Sequence, residues 1–499
     1  MQDIGDIKPL GERVARGAAW IVAGRFFIRS LGLINTLILA RLLAPNDFGI
    51  VAVGLTMMQL LQNISDIGVS HTVVKFRTAG REHYDTLFTL SAIRGVLVSL
   101  LLLAFAPLAG GIYDDKRAVV VFLCVAAVPI FHALINPKYY EFERQLDFTK
   151  EFLATALNKI AGVIVSVTIA LMFKTYLAIL LGLIAGAVVQ TFLSYLLRPY
   201  LPRLSLSKFK ELFGFTGWVT GVSVMSALNN KLDMLFLGKL IGTSKAGAYY
   251  LGDSIAALPS QELATPLARA IYPGLSELQG SPDGMRRAFL RGVEALSIVA
   301  MPAAFGCAFI AADLVALLLG DQWDAAVPVV RYFTPAAGIL ALFYATQGYA
   351  LAAGQPKEIF YRLLIFFCIR MPIFVWATAV YGLYGAIFSS VAGMGLLVIL
   401  YLSLYQKLSG HGFFDCLFVA RRSFIGIISM ALYFFVVRVH LPAIEGMHLF
   451  ARVAIDIVAG ISFYGAGLLA AWRLEGAPKG VESAVLDQLK RQAAKLKSA

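Results

Sequence analysis

Charged residues are scarce in this sequence. Asp, Glu, Lys and Arg make up only 15% of its 499 residues, whereas 59% are hydrophobic. Soluble domains carry about 25% charged residues, so the chain is too apolar to be one. The same composition excludes disordered, collagen-like and disulfide-scaffold chains. The formal charge of +13 does not indicate nucleic-acid binding, because the bases lie in short clusters between long apolar runs.

Cysteine pairs and catalytic motifs are also missing. The four cysteines show no CxxC and no Cys/His spacing, so we interpret them as small apolar residues in helix packing rather than as metal or redox ligands. There is no phosphate-binding GxxxxGK[ST] loop, no nucleophile elbow and no HExxH. The sequence therefore predicts a membrane protein that is not an enzyme and that needs no metal or cofactor.

Long apolar runs are what the sequence has in abundance. About 20 mostly apolar residues span the hydrocarbon core of a bilayer, and we count fourteen such runs. They lie at about 18–40, 48–70, 86–111, 118–136, 152–173, 175–197, 213–237, 247–270, 292–319, 326–352, 358–380, 383–405, 424–441 and 450–472. Very short turns, at Lys174 and at Tyr381-Gly382, separate two of the pairs. We therefore predict an all-α polytopic membrane protein with 14 transmembrane helices, whose first run is an uncleaved signal anchor.

Lysine and arginine set the orientation. Most of those outside the spans fall in the even-numbered loops and in the two tails. Because cytoplasmic loops are enriched in Lys and Arg, we predict that both termini are cytoplasmic. The tail from Val481 alternates apolar and basic residues, which is typical of a helix on the anionic inner-leaflet lipids and equally of a solvated tail.

An internal repeat appears when the sequence is shifted by 198 positions. The shift aligns Trp20 with Trp218, Leu39 with Leu237, Asn35 with Asp233, Gly49 with Gly247, and Gly54 with Gly252. Each half would hold six helices, and an even number makes the repeats parallel, related by an axis along the membrane normal. We predict two six-helix lobes around a central cavity. The predicted divisions are the lobes 1–200 and 201–410, two further helices in 411–475 and a basic tail in 476–499.

Ionisable residues within the spans are the candidate site. Such residues are costly in a bilayer and usually face protein or water. The first half is mainly cationic, with only Asp66 opposing its bases, and the second half is closer to balanced. The cations are Arg25, Arg29, Arg94 and Lys159 in the first half, and Lys231, Arg331 and Arg370 in the second. The alternatives are that Arg25 snorkels to the inner headgroups and that Lys231 and Arg331 are interfacial.

Three stripes of polar residues follow helical spacing. Arg25, Arg29, Gly32 and Thr36 share one face of the first span, and Asp233 ends a similar stripe on the seventh. Lys159, Gly162 and Ser166 form such a face on the fifth. In the eighth span, Pro259 and Pro266 flank Glu262 and are typical of a kink, which predicts a hinge or a cation site.

Several segments resemble a known family of exporters. They are WIVAGRFFIRSLGLINTLILARLLAPNDFGIVAV, DIGVSHTVVKF, NNKLDMLFLGKLIGTSKAGAYYLGDSIAALP and LAAGQPK. Together with the fourteen-helix frame, they resemble the polysaccharide-transport branch of the multidrug/oligosaccharidyl-lipid/polysaccharide (MOP) exporter superfamily, whose fold is MATE-like. The resemblance is strongest to Wzx-type flippases of the colanic acid and succinoglycan kind.

That resemblance implies a function. Such proteins move an undecaprenyl-diphosphate-linked oligosaccharide repeat unit from the cytoplasmic to the periplasmic leaflet of the bacterial inner membrane, for exopolysaccharide, capsule or O-antigen synthesis. It implies a cationic central cavity, polysaccharide polymerase and export proteins as partners, and no nucleic acid. Coupling to a proton or sodium gradient is left open.

The residues can be given roles on this hypothesis, because guanidinium and ammonium groups pair with diphosphate in a low-dielectric cavity. Four cations would capture the diphosphate: Arg25, Arg29, Arg94 and Lys159. Arg331 and Arg370 would stabilise sugar or phosphate during outward opening. The ion-coupling or charge-pairing residues would be Asp66, Lys231, Asp233 and Glu262.

Three alternatives stay open at this stage. A lipid II flippase would differ in its sugar rather than in its physics. A MATE-like cation-coupled antiporter predicts an acid-dominated first half, which is not what the sequence has. A polytopic glycosyltransferase predicts a large external loop or loop carboxylates, and neither is visible.

Overall fold

The fold is helical throughout the described part of the chain. The computed structural model describes residues 10–65, 80–144, 148–209, 217–260, 281–410, 412 and 414–478, and every regular element within them is a helix. The chain forms two compact units, Met1–Gly247 and Ala248–Ala499. The prediction of an all-α protein is confirmed.

The first unit contains nine α-helices and the start of a tenth among its described residues. They are α1 (Leu10–Leu42), α2 (Pro45–Ile64), α3 (Arg81–Ile112), α4 (Arg117–Val125), α5 (Ala127–Ala133), α6 (Glu141–Arg144), α7 (Phe148–Phe173), α8 (Leu177–Leu197), α9 (Gly217–Leu240) and α10 (Thr243–Ala256). Helix α7 packs between α1 and α8, and α3 packs on α2, α4 and α5.

The second unit begins within α10 and continues with seven α-helices among its described residues. They are α11 (Pro282–Phe309), α12 (Ala311–Leu318), α13 (Val327–Ala341), α14 (Ala345–Ala352), α15 (Pro356–Ser409), α16 (Asp415–Leu432) and α17 (Leu449–Leu474). Its core is partly aromatic: the rings of Phe289 and Tyr405 stack with centroids 4.7 Å apart, and Trp323 is fully buried.

Nine helical segments of the described chain are long and apolar enough to cross a membrane. Most of them expose large apolar side chains, such as Leu100, Ile164, Phe192 and Ile428. Exposed side chains of this kind are compatible with lipid and costly in water. The chain is therefore a multi-pass membrane protein, as predicted.

The 54-residue helix α15 is two antiparallel arms. Gly382 has φ 61° and ψ −137°, a conformation that is open to glycine and strained for other residues. On either side of it, Glu358 of the first arm pairs with Lys407 of the second at 2.7 Å, and Arg362 donates to Ser403 at 3.4 Å. The eleventh and twelfth predicted spans therefore turn back on each other at the predicted position.

The start of α2 packs against the start of α10 through two glycines. A Cβ on Gly49 would overlap the carbonyl oxygen of Thr243, and a Cβ on Gly247 would overlap that of Pro45. Under the 198-residue shift, Gly49 corresponds to Gly247 and Pro45 to Thr243. Each contact is thus the repeat image of the other, which is the self-complementary pattern of a two-fold axis. The side chains of Thr243 and Asn46 are also hydrogen-bonded there.

A second pair of repeat-related glycines makes equivalent contacts. Gly54 of α2 lies against Val121 of α4, and Gly252 of α10 lies against Val329 of α13. In each case a Cβ would stand less than a normal contact distance from the valine. The small residues aligned by the shift therefore serve the same purpose, since they allow close packing of helices.

Some predicted residues lie outside the described part of the chain. These are Asp66, Glu262, Pro266 and the tail from Val481. Arg25 belongs to α1, and its side chain lies outside the described part as well.

Candidate functional site

Lys159 is the predicted site cation that the structure sets most clearly against a neighbouring helix. It lies near the middle of α7, eleven residues after the helix begins and fourteen before it ends. A Cβ on Gly32 of α1 would lie 3.1 Å from its Cε and 3.3 Å from its Nζ. The half-buried side chain therefore lies along α1 at the point where that helix has no side chain of its own.

Polar residues continue the seam between α1 and α7 on one side of this contact. Ser166 of α7 donates a hydrogen bond to Asn35 Oδ1 at 2.8 Å, and Thr36 donates to the carbonyl oxygen of Gly32 at 3.0 Å. On the other side, the rings of Phe27 and Phe152 meet edge to face at 5.9 Å. The polar faces predicted for the first and fifth spans thus meet along one helix pair.

The adjacent side of α7, which includes Gly162 and the Cβ of Ser166, packs tightly on α8. A Cβ on Gly162 would lie 2.9 Å from the carbonyl oxygen of Gly182, and Asn158 donates to Gln190 Oε1 at 2.7 Å. Because close helix packing through small residues and interhelical hydrogen bonds rigidifies membrane bundles, α8 holds α7 in place and fixes the position of Lys159.

The other two described cations of the first half have different settings. Arg29 is exposed and lies three residues from Gly32, on the same face of α1. Arg94 is half-buried on α3, next to Gly95, which packs against Pro129 of α5. The structure therefore places Arg29 beside the seam and Arg94 on a different helix pair.

The predicted polar face of the seventh span lies on α9. Lys231 and Asp233 are both half-buried, and α9 packs on α2. Asn230 is exposed and donates to the carbonyl oxygen of Ser226 at 2.8 Å. Their contribution to a site stays a prediction.

Arg370 is buried inside the α15 hairpin, with only 9% of its surface exposed. Its guanidinium carbon lies 5.5 Å from the ring centre of Phe366 and 5.7 Å from that of Phe374. Its Cδ would be 2.9 Å from a Cβ on Gly393 in the opposite arm. Arg370 is thus packed in cation–π contacts. Its contribution to the stability of the fold must therefore be tested beside the predicted binding role.

Arg331 and Pro259 occupy the remaining predicted positions that are described. Arg331 is exposed one turn into α13, where it can meet lipid headgroups or substrate. Pro259 is buried just after α10, at a local widening of the helical turn. Its role as a hinge stays a prediction.

Four charges of the second unit form a network that the sequence did not predict. Asp313 of α12 pairs with Arg452 of α17 and with Arg438, and Arg438 pairs with Asp456 at 2.8 Å. Asp456 is fully buried and also accepts a hydrogen bond from Tyr433 at 2.9 Å. Asp313 is more than 120 residues away from Arg438 and Arg452 in the sequence. The only signal for the network in the sequence was the presence of both acidic and basic residues within the spans.

The charge environment of Lys159 bears on the kind of ligand that the first unit could bind. Lys159 has no ion pair with a carboxylate among the described residues of the chain. An ammonium removed from water without a counter-charge costs several kcal/mol, so the position is favourable when an anion or water reaches it. Among the same residues, no group of three or more His, Cys, Asp or Glu could hold a metal ion.

Comparison with known proteins gives a family and several relatives in that family's field of function. The sequence pattern of the family described as "Polysaccharide biosynthesis protein" matches residues 38–328. The lipopolysaccharide biosynthesis protein WzxC of Escherichia coli is 25% identical over 72% of this chain and 73% of its own length. The succinoglycan biosynthesis transport protein ExoT of Rhizobium meliloti is 24% identical over 70% of this chain and 72% of its own length.

A solved structure shares the fold. The lipid II flippase MurJ, in an inward-closed conformation, superposes with a TM-score of 0.73. The superposition covers 90% of this chain and 98% of that one at 15% sequence identity, so the likeness concerns the fold alone.

Proposed function

This chain belongs to the polysaccharide biosynthesis protein family, and from that premise we propose that it flips an undecaprenyl-diphosphate-linked oligosaccharide from the cytoplasmic to the periplasmic leaflet of the bacterial inner membrane. The predicted resemblance to polysaccharide exporters is confirmed, and the chain is a membrane transporter rather than an enzyme.

Lys159 carries the proposal. A diphosphate needs cations in a place where water screens them little. Lys159 offers an ammonium at mid-span, against Gly32 of α1, and Gly32 follows Arg29 by about one helical turn. A cation antiporter would need carboxylates at such a position. The charge of this seam therefore supports an anionic cargo.

Fourteen spans form the proposed frame. Of the nine helical segments that can cross a membrane, α15 contributes two arms. Helix α1, the α4–α5 pair, α9 and α10 would supply the remaining four, although they are shorter or more polar. With an even number of spans, both termini would be cytoplasmic, in agreement with the distribution of Lys and Arg.

Alternating access is the proposed mechanism. The reciprocal contact of α2 with α10 through Gly49 and Gly247 would close the periplasmic end while the cytoplasmic end is open. Release of this contact would open the opposite side after the diphosphate has been captured. A proton or sodium gradient would supply the driving force.

Substitution of Lys159 tests the proposal. Lys159→Met keeps the length of the side chain and removes its charge, so we expect lipid-linked repeat units to accumulate in the cytoplasmic leaflet, with at least about tenfold less flipping in proteoliposomes. Lys159→Arg should restore most of the activity. Lys174→Met makes the same change on the exposed turn between α7 and α8 and should have no effect.

The choice of cargo separates the rival functions. Proteoliposomes are loaded in parallel with an undecaprenyl-diphosphate oligosaccharide, with lipid II and with an organic cation. Flipping of the first alone supports the proposal, and flipping of lipid II alone would assign the chain to peptidoglycan synthesis. If Lys159→Met flips as fast as the parent, the seam between α1 and α7 does not bind the diphosphate.

A further inference from the structure

The segment between α8 and α9 is held along the start of α3 as a strap, defined here as residues 199–209, which has no regular structure over 199–206 and ends in a turn. The backbone N–H of Arg203 donates to Asp85 Oδ1 at 2.8 Å, and that of Ser205 donates to Thr89 Oγ1 at 2.8 Å. The N–H of Lys208 donates to Thr86 Oγ1 at 3.3 Å. Three side chains on one face of α3 thus accept hydrogen bonds from the backbone of the strap.

An aromatic residue fastens the beginning of the strap. Tyr200 donates to Asp85 Oδ1 at 2.6 Å, and its ring lies 4.6 Å from the ammonium of Lys138. Burial raises the pKa of Tyr200, and so does its hydrogen bond to the Asp85 carboxylate. The phenol therefore stays protonated and keeps donating to Asp85.

The outer side of the strap is apolar. Leu201 is 82% exposed, Leu204 76%, Leu206 52% and Phe209 39%. Leucines exposed to this degree in water are unfavourable, by about 25 cal/mol for each Å² of apolar surface. Since the backbone is held by α3, the strap cannot turn these side chains inward, and something outside this part of the chain must cover them.

The depth of the strap indicates what covers it. Helix α3 has 32 residues and is therefore about 48 Å long, whereas the hydrocarbon core is about 30 Å thick. Because the polar residues of this helix gather at its start, among them Arg81, Asp85 and Thr86, we place its first turns among the headgroups. A backbone without regular structure at that depth needs internal acceptors for its N–H groups, and Asp85, Thr86 and Thr89 provide them.

The charges of the strap complete the argument. Arg203 is exposed and Lys208 half-buried, and Arg81 and Lys138 lie beside Tyr200. The neighbouring carboxylate of Asp85 accepts the hydrogen bonds described above and also lies 3.7 Å from the guanidinium of Arg81. Apolar side chains among basic residues at headgroup depth match a leaflet of anionic lipids.

We propose that the strap is an interfacial anchor, whose leucines enter the anionic cytoplasmic leaflet and whose basic residues contact lipid phosphates. It would fix the connection between the sixth and seventh spans to the membrane surface. The proposal rests on the membrane orientation given above and not on the identity of the cargo, so it can be tested without substrate.

Single labelled cysteines test the anchor. The four native cysteines are replaced by Ala, and Leu204→Cys or Ser207→Cys is labelled with an environment-sensitive fluorophore. The full-length protein is reconstituted in phosphatidylcholine vesicles with or without phosphatidylglycerol. In the acidic vesicles, we expect the label at 204 to be blue-shifted and shielded from iodide, while the label at 207, an exposed polar position, is quenched.

Two substitutions connect the result to the structure. The acidic lipid increases the shielding of the label at 204 from iodide, and Arg203→Gln should reduce that increase about fivefold. Thr89→Val removes the acceptor for Ser205 and should increase iodide access to the label at 204, whereas the same change at the exposed Thr168 should not. Size-exclusion profiles and circular dichroism establish that each variant is folded.

Other outcomes would contradict the anchor. Equal quenching at both positions in acidic vesicles would show that the strap faces water. Shielding at 204 in membranes of the producing cells, but not in lipid vesicles, would show that a protein covers it. Neither result would affect the flippase proposal, because flipping is measured separately.

Discussion

At the scale of single residues, Lys159 shows what a sequence can predict about a site and what it cannot. Helical spacing placed Lys159 and Gly32 each on a polar face, because the position of a residue around a helix follows from the period of 3.6. Spacing does not specify which helices are neighbours. The sequence grouped Arg94 with Lys159, whereas the structure places Arg94 next to α5.

Arg370 provides the first prediction at this scale. Because its guanidinium lies between Phe366 and Phe374, and its stem crosses Gly393, we expect Arg370→Met to destabilise the fold by about 1–2 kcal/mol. The check is the melting temperature in detergent, measured together with flipping per folded molecule. A direct binding role would instead leave the melting temperature unchanged and abolish flipping.

Melting temperature and flipping, measured together, also distinguish the role of Lys159 from that of Arg370. Lys159→Met is expected to keep the melting temperature at or above that of the parent, because it removes a half-buried ammonium that has no carboxylate partner among the described residues. A large loss of stability in Lys159→Met would identify Lys159 as a structural residue.

At the scale of helices, hydropathy predicted that the chain is helical and crosses the membrane many times, but it did not predict how the helices are connected. Lipid requires each span to satisfy its own backbone hydrogen bonds, so apolar runs reliably become helices. The strap was not predicted, since the acceptors for its N–H groups lie more than 110 residues earlier, at Asp85, Thr86 and Thr89. A polar cluster in the first turns of a long apolar helix was the only signal.

The turn within α15 gives the prediction at this scale. Gly382 has a positive φ that is strained for L-residues, so Gly382→Ala should destabilise the fold by about 1–3 kcal/mol. Gly395→Ala in the second arm is the control, because a Cβ there meets nothing within 4 Å and Ala favours a helix. Equal melting temperatures of the two variants would contradict the strained turn.

At the scale of the whole molecule, the internal repeat was the most informative part of the sequence. Gly49 and Gly247 aligned under the shift of 198, and the structure brings them to one reciprocal contact. Glycines in a repeat are informative because they mark places where backbones approach closely. The sequence could not show that Gly49 and Gly247 lie next to each other, because an alignment of repeats gives no information about distance.

The last prediction concerns the movement of this contact during transport. Asn46 and Thr243 are hydrogen-bonded where α2 meets α10, so Asn46→Cys with Thr243→Cys, in a chain whose native cysteines are replaced by Ala, should form a disulfide under mild oxidation. If the ends of α2 and α10 must separate in each cycle, the disulfide abolishes flipping and reduction restores it. Each single variant is the control for the loss of side chains. Full flipping by the oxidised protein would show that this contact stays closed throughout transport, and the exit for the oligosaccharide would then have to lie elsewhere.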